Sequence, residues 1–300
     1  MEQFVNTLFN GISLSSIILL TSLGLAITFG LMKVINMAHG EFVMIGAYST
    51  YVVQQIFVNY LPSNVRDIYY FLAIPMAFLV TYLLGSILEK FVISKLYGRE
   101  IDSLLATWGI SLILQQLARS IFGTQGVNVN APSFLNGGIT IGNCTFSYNR
   151  LFIILMVVLC LLGVWLVMYK SNFGKQMRAV MQNRTMAQCM GINSRKVDNV
   201  TFSIGSGLAG IAGCSVALLG SIDSTVGQSY IVNSFMAVVL GGVGKLAGTV
   251  IGSSIIGCAS IFTENYTSST IAKAIVLMIV IVFLQKRPQG LFVVKSRNLD

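Results

Sequence analysis

Charge is what this sequence has least of. Asp, Glu, Lys and Arg make up 10% of its 300 residues, against about a quarter in an ordinary soluble domain. So few charges cannot cover the surface of a soluble globule of this size, and the chain reads as an integral membrane protein. Its one histidine, His39, excludes the HExxH zinc motif. No two carboxylates stand at a spacing that suggests acid–base work, and an intramembrane hydrolase has no visible nucleophile–base pair. The phosphate loop GxxxxGK[ST] is missing too. Its nearest approach, GGVGKLAG (Gly241–Gly248), has Val239 in place of the first glycine and Leu246 in place of Ser or Thr. Any ATP that drives this protein is therefore bound on another chain. The five cysteines (Cys144, Cys160, Cys189, Cys214, Cys258) include no CxxC, which favours buried apolar thiols over disulfides or a metal site. The polar–apolar alternation of membrane β-strands is also lacking.

What is present is hydrophobic sequence: 55% of the residues, with a mean hydropathy of +0.79. Several runs reach the roughly 20 residues that cross a bilayer as helix. Spans are expected near Leu8–Met32, Ala38–Phe57, Ile68–Ile93, Leu104–Phe122, Leu151–Tyr169 and Val200–Ser221. Three more are expected near Ile231–Val243, Leu246–Phe262 and Ile271–Leu284. The fold class is an all-α polytopic bundle of about 8–10 spans in one domain, 1–300. Nine spans fit an outside amino terminus and an inside carboxy terminus. Eight or ten require a re-entrant element near Gly241–Gly248. Glu2, the absence of Lys or Arg before the first apolar run, and the length of that run argue against a cleavable signal.

Lysine and arginine concentrate on the cytoplasmic side of membrane proteins. An outside amino terminus puts 15 of the 19 basic residues inside, leaving only Arg66, Arg119, Arg150 and Lys273 outside. The net charge of +9 then reflects topology and anionic membrane lipid, not nucleic acid. Gly123–Asn149 becomes an outer loop, and Lys170–Asn199 an inner loop too long for a simple helix connection.

That inner loop carries a pattern. Ala179, Asn183, Ala187 and Gly191 recur every four residues, which predicts a row along one face of a short helix ended by Gly191. Met186 and Met190 lie beside the row, Met177 and Met181 on the adjoining one, and Arg178 and Arg184 interrupt it. Such a face suits docking into a groove on a partner. The same residues equally suit an amphipathic helix lying on the inner leaflet.

Five segments resemble, in order, the branched-chain amino acid and urea permease family of ABC importers. They are GLMKVINMAHGEFVMIGAY (Gly30–Tyr48), MQNRTMAQCMGINSRKV (Met181–Val197), TFSIGSGLAGIAG (Thr201–Gly213), VVLGGVGKLAGTVIGS (Val238–Ser253) and KRPQGLF (Lys286–Phe292). Lys245 and the QKRPQGLF ending look most like the urea-transporter members, so urea or a short amide is the expected solute, with branched-chain amino acids as the alternative. The resemblance implies a larger ABC-importer bundle with broken, glycine-rich helices. It implies one of two permeases in a heterodimer, with two ATP-binding subunits carrying ATP and magnesium, an outer solute-binding protein, and no cofactor or catalysis on this chain. It places the protein in the bacterial inner membrane and assigns coupling to the ATPase to Arg178, Asn183, Ala187 and Gly191. A self-sufficient channel or secondary carrier is the competing class; a carrier needs midplane acids, and only Glu41 comes near.

Pathway candidates are Asn36, His39, Glu41, Asn233, Gly241 and Gly244. Asn36 and His39 offer neutral hydrogen-bonding groups to a small polar solute. Alternatively, Asn36 caps the second span and Glu41 favours its first turn. Lys33 and Lys245 are candidate partners for Glu41. The glycines allow either a broken helix or close helix contact.

Overall fold

In lipid, backbone polar groups must be satisfied within the segment itself. The chain meets that demand with helix, 80% of it. The computed structural model describes residues 2–32, 34–60, 62–141 and 144–292. Among these lie α1 (Glu2–Met32), α2 (His39–Tyr60), α3 (Tyr69–Phe91), α4 (Glu100–Phe122) and α5 (Tyr148–Lys170). They are followed by α6 (Asn172–Gln182), α7 (Arg184–Cys189), α8 (Ser194–Ala217), α9 (Val226–Gly241), α10 (Leu246–Glu264) and α11 (Ser269–Lys286).

Seven helices are long and apolar enough to cross a membrane: α1, α3, α4, α5, α8, α10 and α11. Two more belong to the same bundle. Helix α2 has the length but is diluted by Glu41, Gln54 and Gln55, and α9 is apolar but has only 16 residues. At 1.5 Å per residue α9 spans about 24 Å, short of a hydrocarbon core of about 30 Å. With these two included, each of the nine spans expected from sequence has its helix.

The bundle is layered. Helices α1 and α8 are largely enclosed, while α3, α4, α5 and α11 turn most of their apolar surface outward. The central helices approach nearly backbone to backbone. A Cβ on Gly24 would fall 2.3 Å from the carbonyl oxygen of Gly205, and one on Gly46 2.2 Å from that of Gly210. One on Gly40 would fall 2.5 Å from the oxygen of Gly227. The hydroxyls interleaved with these glycines are satisfied within their own helices. Thr201 donates to Val197 O at 2.6 Å, Ser203 to Asn199 O at 2.7 Å and Ser206 to Phe202 O at 2.9 Å. Small residues whose polar groups bond inward permit this proximity where water supplies no hydrophobic drive between helices.

The loop Gly123–Asn149 is more ordered than its composition predicts. Strands β1 (Gly138–Ile141) and β2 (Cys144–Ser147) pair antiparallel, with Ile139 opposite Phe146. The loop is also strapped to the bundle. Val127 and Ile222 exchange backbone hydrogen bonds of 2.9 and 2.8 Å, and Tyr69 donates to Asn130 O at 2.6 Å. Of the thiols, Cys214 is buried and Cys160 and Cys258 are half-buried, as expected; Cys189, on α7, is exposed.

Candidate functional site

The segment before α2 cannot be helical throughout, because Asn36 takes the first hydrogen bond for itself: its Oδ1 accepts from Ala38 N–H at 3.1 Å. Met37 N–H is held from the side by Thr107 Oγ1 of α4 at 3.1 Å. Helix α2 then starts with His39 and Glu41 pointing to different neighbours. His39 Nε2 bonds to the Thr21 carbonyl of α1 at 3.0 Å. Glu41 Oε1 accepts from Ser111 Oγ at 2.9 Å and Gln115 Nε2 at 2.7 Å, both on α4. Asn36, His39 and Glu41 are each 1% exposed. Each also keeps one buried polar atom with no partner among the described residues: Asn36 Nδ2, His39 Nδ1 and Glu41 Oε2. Nearly all buried side-chain polar atoms in proteins are paired, so three orphans within six residues single this segment out.

Lys245 is not the partner of Glu41. It precedes α10, and the ion pairs among the described residues are Arg99–Asp102 and Arg184–Asp198. Lys33, the other candidate, lies outside the described residues. On α4, Thr107, Ser111 and Gln115 serve α2 and its entry, while Gln116 faces outward.

At the glycine-rich turn, α9 stops at Gly241 and α10 begins at Leu246. Gly242 and Gly244 have φ of 98° and 90°, conformations that side-chain-bearing residues rarely adopt. The two helices return against one another with Gly241 on Gly248, where either added Cβ would lie 2.1–2.3 Å from the opposite carbonyl oxygen. Gly244 touches Gly30 of α1. The chain end folds back here: Leu291 N–H donates to Leu240 O at 2.9 Å and Phe292 N–H to Gly241 O at 3.2 Å, satisfying the last carbonyls of α9. Asn233, half-buried on α9, lines a polar cavity shared with α10 and α11.

The row Ala179, Asn183, Ala187, Gly191 predicts a single helix, and the structure corrects it. Asn183 is extended, with φ −153°, and its Oδ1 caps a new helix by accepting Met186 N–H at 2.9 Å. The segment is an elbow of two helices, α6 and α7. The side-chain–backbone competition typical of Asn explains the break. Ala187 is therefore turned inward at 5% exposure, whereas Met186 and Met190 are 61% and 76% exposed. Gly191, φ 81°, ends the elbow with nothing near its missing Cβ. Arg178 does not project either: it donates to Met168 O at the end of α5 and lies over the Tyr169 ring at 5.5 Å.

The elbow is fastened by residues not singled out from sequence. Arg184 donates to Asp198 of α8 and stacks 4.7 Å from the centre of the Tyr97 ring. Tyr97 Oη donates to Glu89 Oε1 at 2.7 Å, and Asn199 Nδ2 donates to Glu89 Oε2, also at 2.7 Å. Burial, with the nearby Asp198 charge, pushes the Tyr97 phenol well above its ordinary range, so it stays a donor at physiological pH. Glu89 and Asp198 are 3% and 4% exposed. An acid at the end of an apolar run is the sequence signal for such a network.

The chain matches the family model described as branched-chain amino acid transport system / permease component over residues 7–284. It is similar to the high-affinity branched-chain amino acid transport system permease protein BraD of Pseudomonas aeruginosa, at 26% identity over 96% of this chain and 95% of the relative. It is similar to the permease protein LivH of Escherichia coli K12, described in the same words, at 27% over 96% and 95%. The probable branched-chain amino acid transport permease protein LivH of Methanocaldococcus jannaschii is 29% identical over 95% of this chain and 91% of its own. No solved structure matches. The expectation of urea finds no support in these relatives, and the amino-acid alternative fits them better. The structure supplies a reason: Gly290–Phe292, in the ending that resembles urea members, closes the end of α9, a backbone task indifferent to solute.

Proposed function

Because this chain belongs to the branched-chain amino acid transport system permease family, we propose that it is one permease of a pair in an importer of branched-chain amino acids. The near-complete match to relatives of that name carries the reading. It is a permease component and not an enzyme, and ATP hydrolysis belongs to separate subunits. In this reading two ATP-binding subunits with magnesium engage the α6–α7 elbow from the cytosol, through Met186, Met190 and the Gly191 turn. A second permease completes the pathway, and an outer binding protein delivers the amino acid. The protein lies in the bacterial inner membrane with its amino terminus outside.

Proteoliposomes holding the whole complex and its binding protein test this. Leucine uptake that requires ATP, with urea not taken up, is the expected result. Leucine flux at full rate through this chain alone would make it a channel and defeat the importer reading. Orientation has its own reporter in the exposed Cys189. In a Cys144→Ser background, an impermeant maleimide should label Cys189 in inside-out vesicles and not in right-side-out ones; the reverse would invert the topology.

A further inference from the structure

The cavities of this protein differ in chemistry. One, about 390 Å³ between α2, α3 and α4, is walled by Met44, Val52, Ile56, Leu84, Leu117 and other apolar side chains. A cavity of about 140 Å³ between α9, α10 and α11 is the opposite. Tyr230 and Asn233 of α9, Ser260 and Glu264 of α10 and Lys273 of α11 line it, with Leu14 and Ala272 as its apolar walls. None of these five polar side chains has a hydrogen-bond or ionic partner among the described residues. Glu264 and Lys273 share the cavity without forming an ion pair.

Both charges are exposed, at the mouth of the cavity, and neither is favoured by its own helix. Glu264 is the last residue of α10, where the negative end of the helix dipole disfavours a carboxylate. Lys273 sits just past the first turn of α11, near the positive end. Each charge is placed against its own helix, and the two line the same cavity. The space equals the share of about five waters in the liquid, far below the roughly 300 Å³ at which pockets for drug-sized ligands begin.

We propose that this cavity binds a small zwitterion, an α-amino acid with a short apolar side chain, as a subsite of the transport pathway. The ammonium group meets Glu264, the carboxylate meets Lys273, Asn233 and Ser260 supply further hydrogen bonds, and Leu14 and Ala272 take the side chain. The inference rests on the amino-acid reading above. It gives Asn233 a ligand and adds Glu264 and Lys273, the latter one of only four basic residues expected outside.

The same chemistry exists in a zwitterionic lipid headgroup, so the test separates the two sources. The whole complex, without binding protein, is placed in nanodiscs of phosphatidylglycerol, which has no zwitterionic headgroup, and saturation transfer to leucine is observed by NMR. The expected result is a clear transfer signal that falls at least fivefold in Glu264→Gln and in Lys273→Met. Glu264→Asp and Lys273→Arg should retain it. Leucinamide, which lacks the carboxylate, should compete poorly with leucine in the wild type. Equal signals in wild type and both neutralising variants would overturn the proposal. Loss of the leucine signal on adding phosphatidylethanolamine would replace the amino acid by a lipid headgroup and overturn it too. ATP-driven leucine uptake by the same wild-type complex keeps the two ideas apart. Uptake without a leucine signal sinks the subsite alone; no amino-acid uptake sinks the transport reading and the subsite with it.

Discussion

The centre of the bundle and the α6–α7 elbow are held together differently. Where α2 crosses α8, the contact is backbone on backbone, with Gly46 against Gly210 and Gly213 against Val43. Nothing there can move far without collision, and no charge contributes. The elbow combines an apolar anchor, Met177 of α6 packed with Val164, Val197 and Leu208, with polar links: Arg184 to Asp198, Arg184 over Tyr97, and Arg178 to the end of α5. It turns two methionines outward. A contact made of many small surfaces is rigid, since protein interiors are close-packed and yield little. The α7 half of the elbow, past Asn183, leans more on directional bonds, which can be exchanged without repacking the centre. The molecule thus pairs a stiff centre with a lever attached at identifiable points.

The comparison breaks most visibly at the glycine crossing. Gly46→Leu forces a side chain where a Cβ already lies 2.2 Å from a carbonyl oxygen. Overpacking of a core costs about 1–3 kcal/mol when neighbours can yield, and two backbones cannot. We expect no monodisperse complex by size-exclusion in detergent. Gly163→Leu on α5, with nothing within 4 Å, should assemble normally.

Next in size is Arg184→Ala. Removing one partner of a buried ion pair costs about 3–5 kcal/mol, less here because the Arg184 side chain is 39% exposed while that of Asp198 is 6% exposed. The cost should fall on the elbow and not on the bundle. Protease cleavage within 183–193 should rise at least tenfold and ATP hydrolysis should lose its dependence on transport, with the thermal midpoint of the bundle nearly unchanged. An equal loss of bundle stability would show that the two regions are one unit. The double variant Arg184→Gln, Asp198→Asn should recover much of the protection.

Glu41→Ala should act on the centre more gently. It strands the donors of Ser111 and Gln115, and a buried unsatisfied group costs about 1–3 kcal/mol. The thermal midpoint should drop in Glu41→Ala and hold within a degree or two in Glu41→Gln, which keeps an acceptor. If Glu41→Gln abolishes uptake with stability intact, the carboxylate has a role in the pathway beyond holding α4.

The smallest structural effect is expected from Met186→Ser with Met190→Ser. Exposed substitutions usually stay within about 0.5 kcal/mol, so the midpoint should not move. ATPase stimulation by loaded binding protein should nevertheless fall several-fold. Unchanged stimulation would remove these methionines from the docking surface.

Much of this was readable from the chain alone. The nine long helices follow their apolar runs to within a few residues, because partition into lipid sums over about twenty side chains and needs no knowledge of neighbours. Glu41 was legible as a first-turn residue of α2, whereas Asn36, a candidate cap, instead holds the turn before it through Ala38 N–H. The elbow was legible as a segment but not in shape. A four-residue row reads as one helix only while no residue competes for the backbone, and Asn183 does. The urea expectation leaned on Lys245 and the QKRPQGLF ending, and what the end of that motif does appears only once Leu291 and Phe292 are seen on the carbonyls of α9.

Sequence by itself settled the solvent, the helices and the kind of molecule, because composition and periodicity act locally and additively. Only the tertiary structure decided which polar atom meets which. Glu41 turns to Ser111 and Gln115 of α4, Arg184 reaches an aspartate fourteen positions on, and Glu264 and Lys273 come to one cavity. Those outcomes depend on which helices become neighbours, and that is fixed by the glycine crossings at the centre, through distances no single stretch of sequence contains.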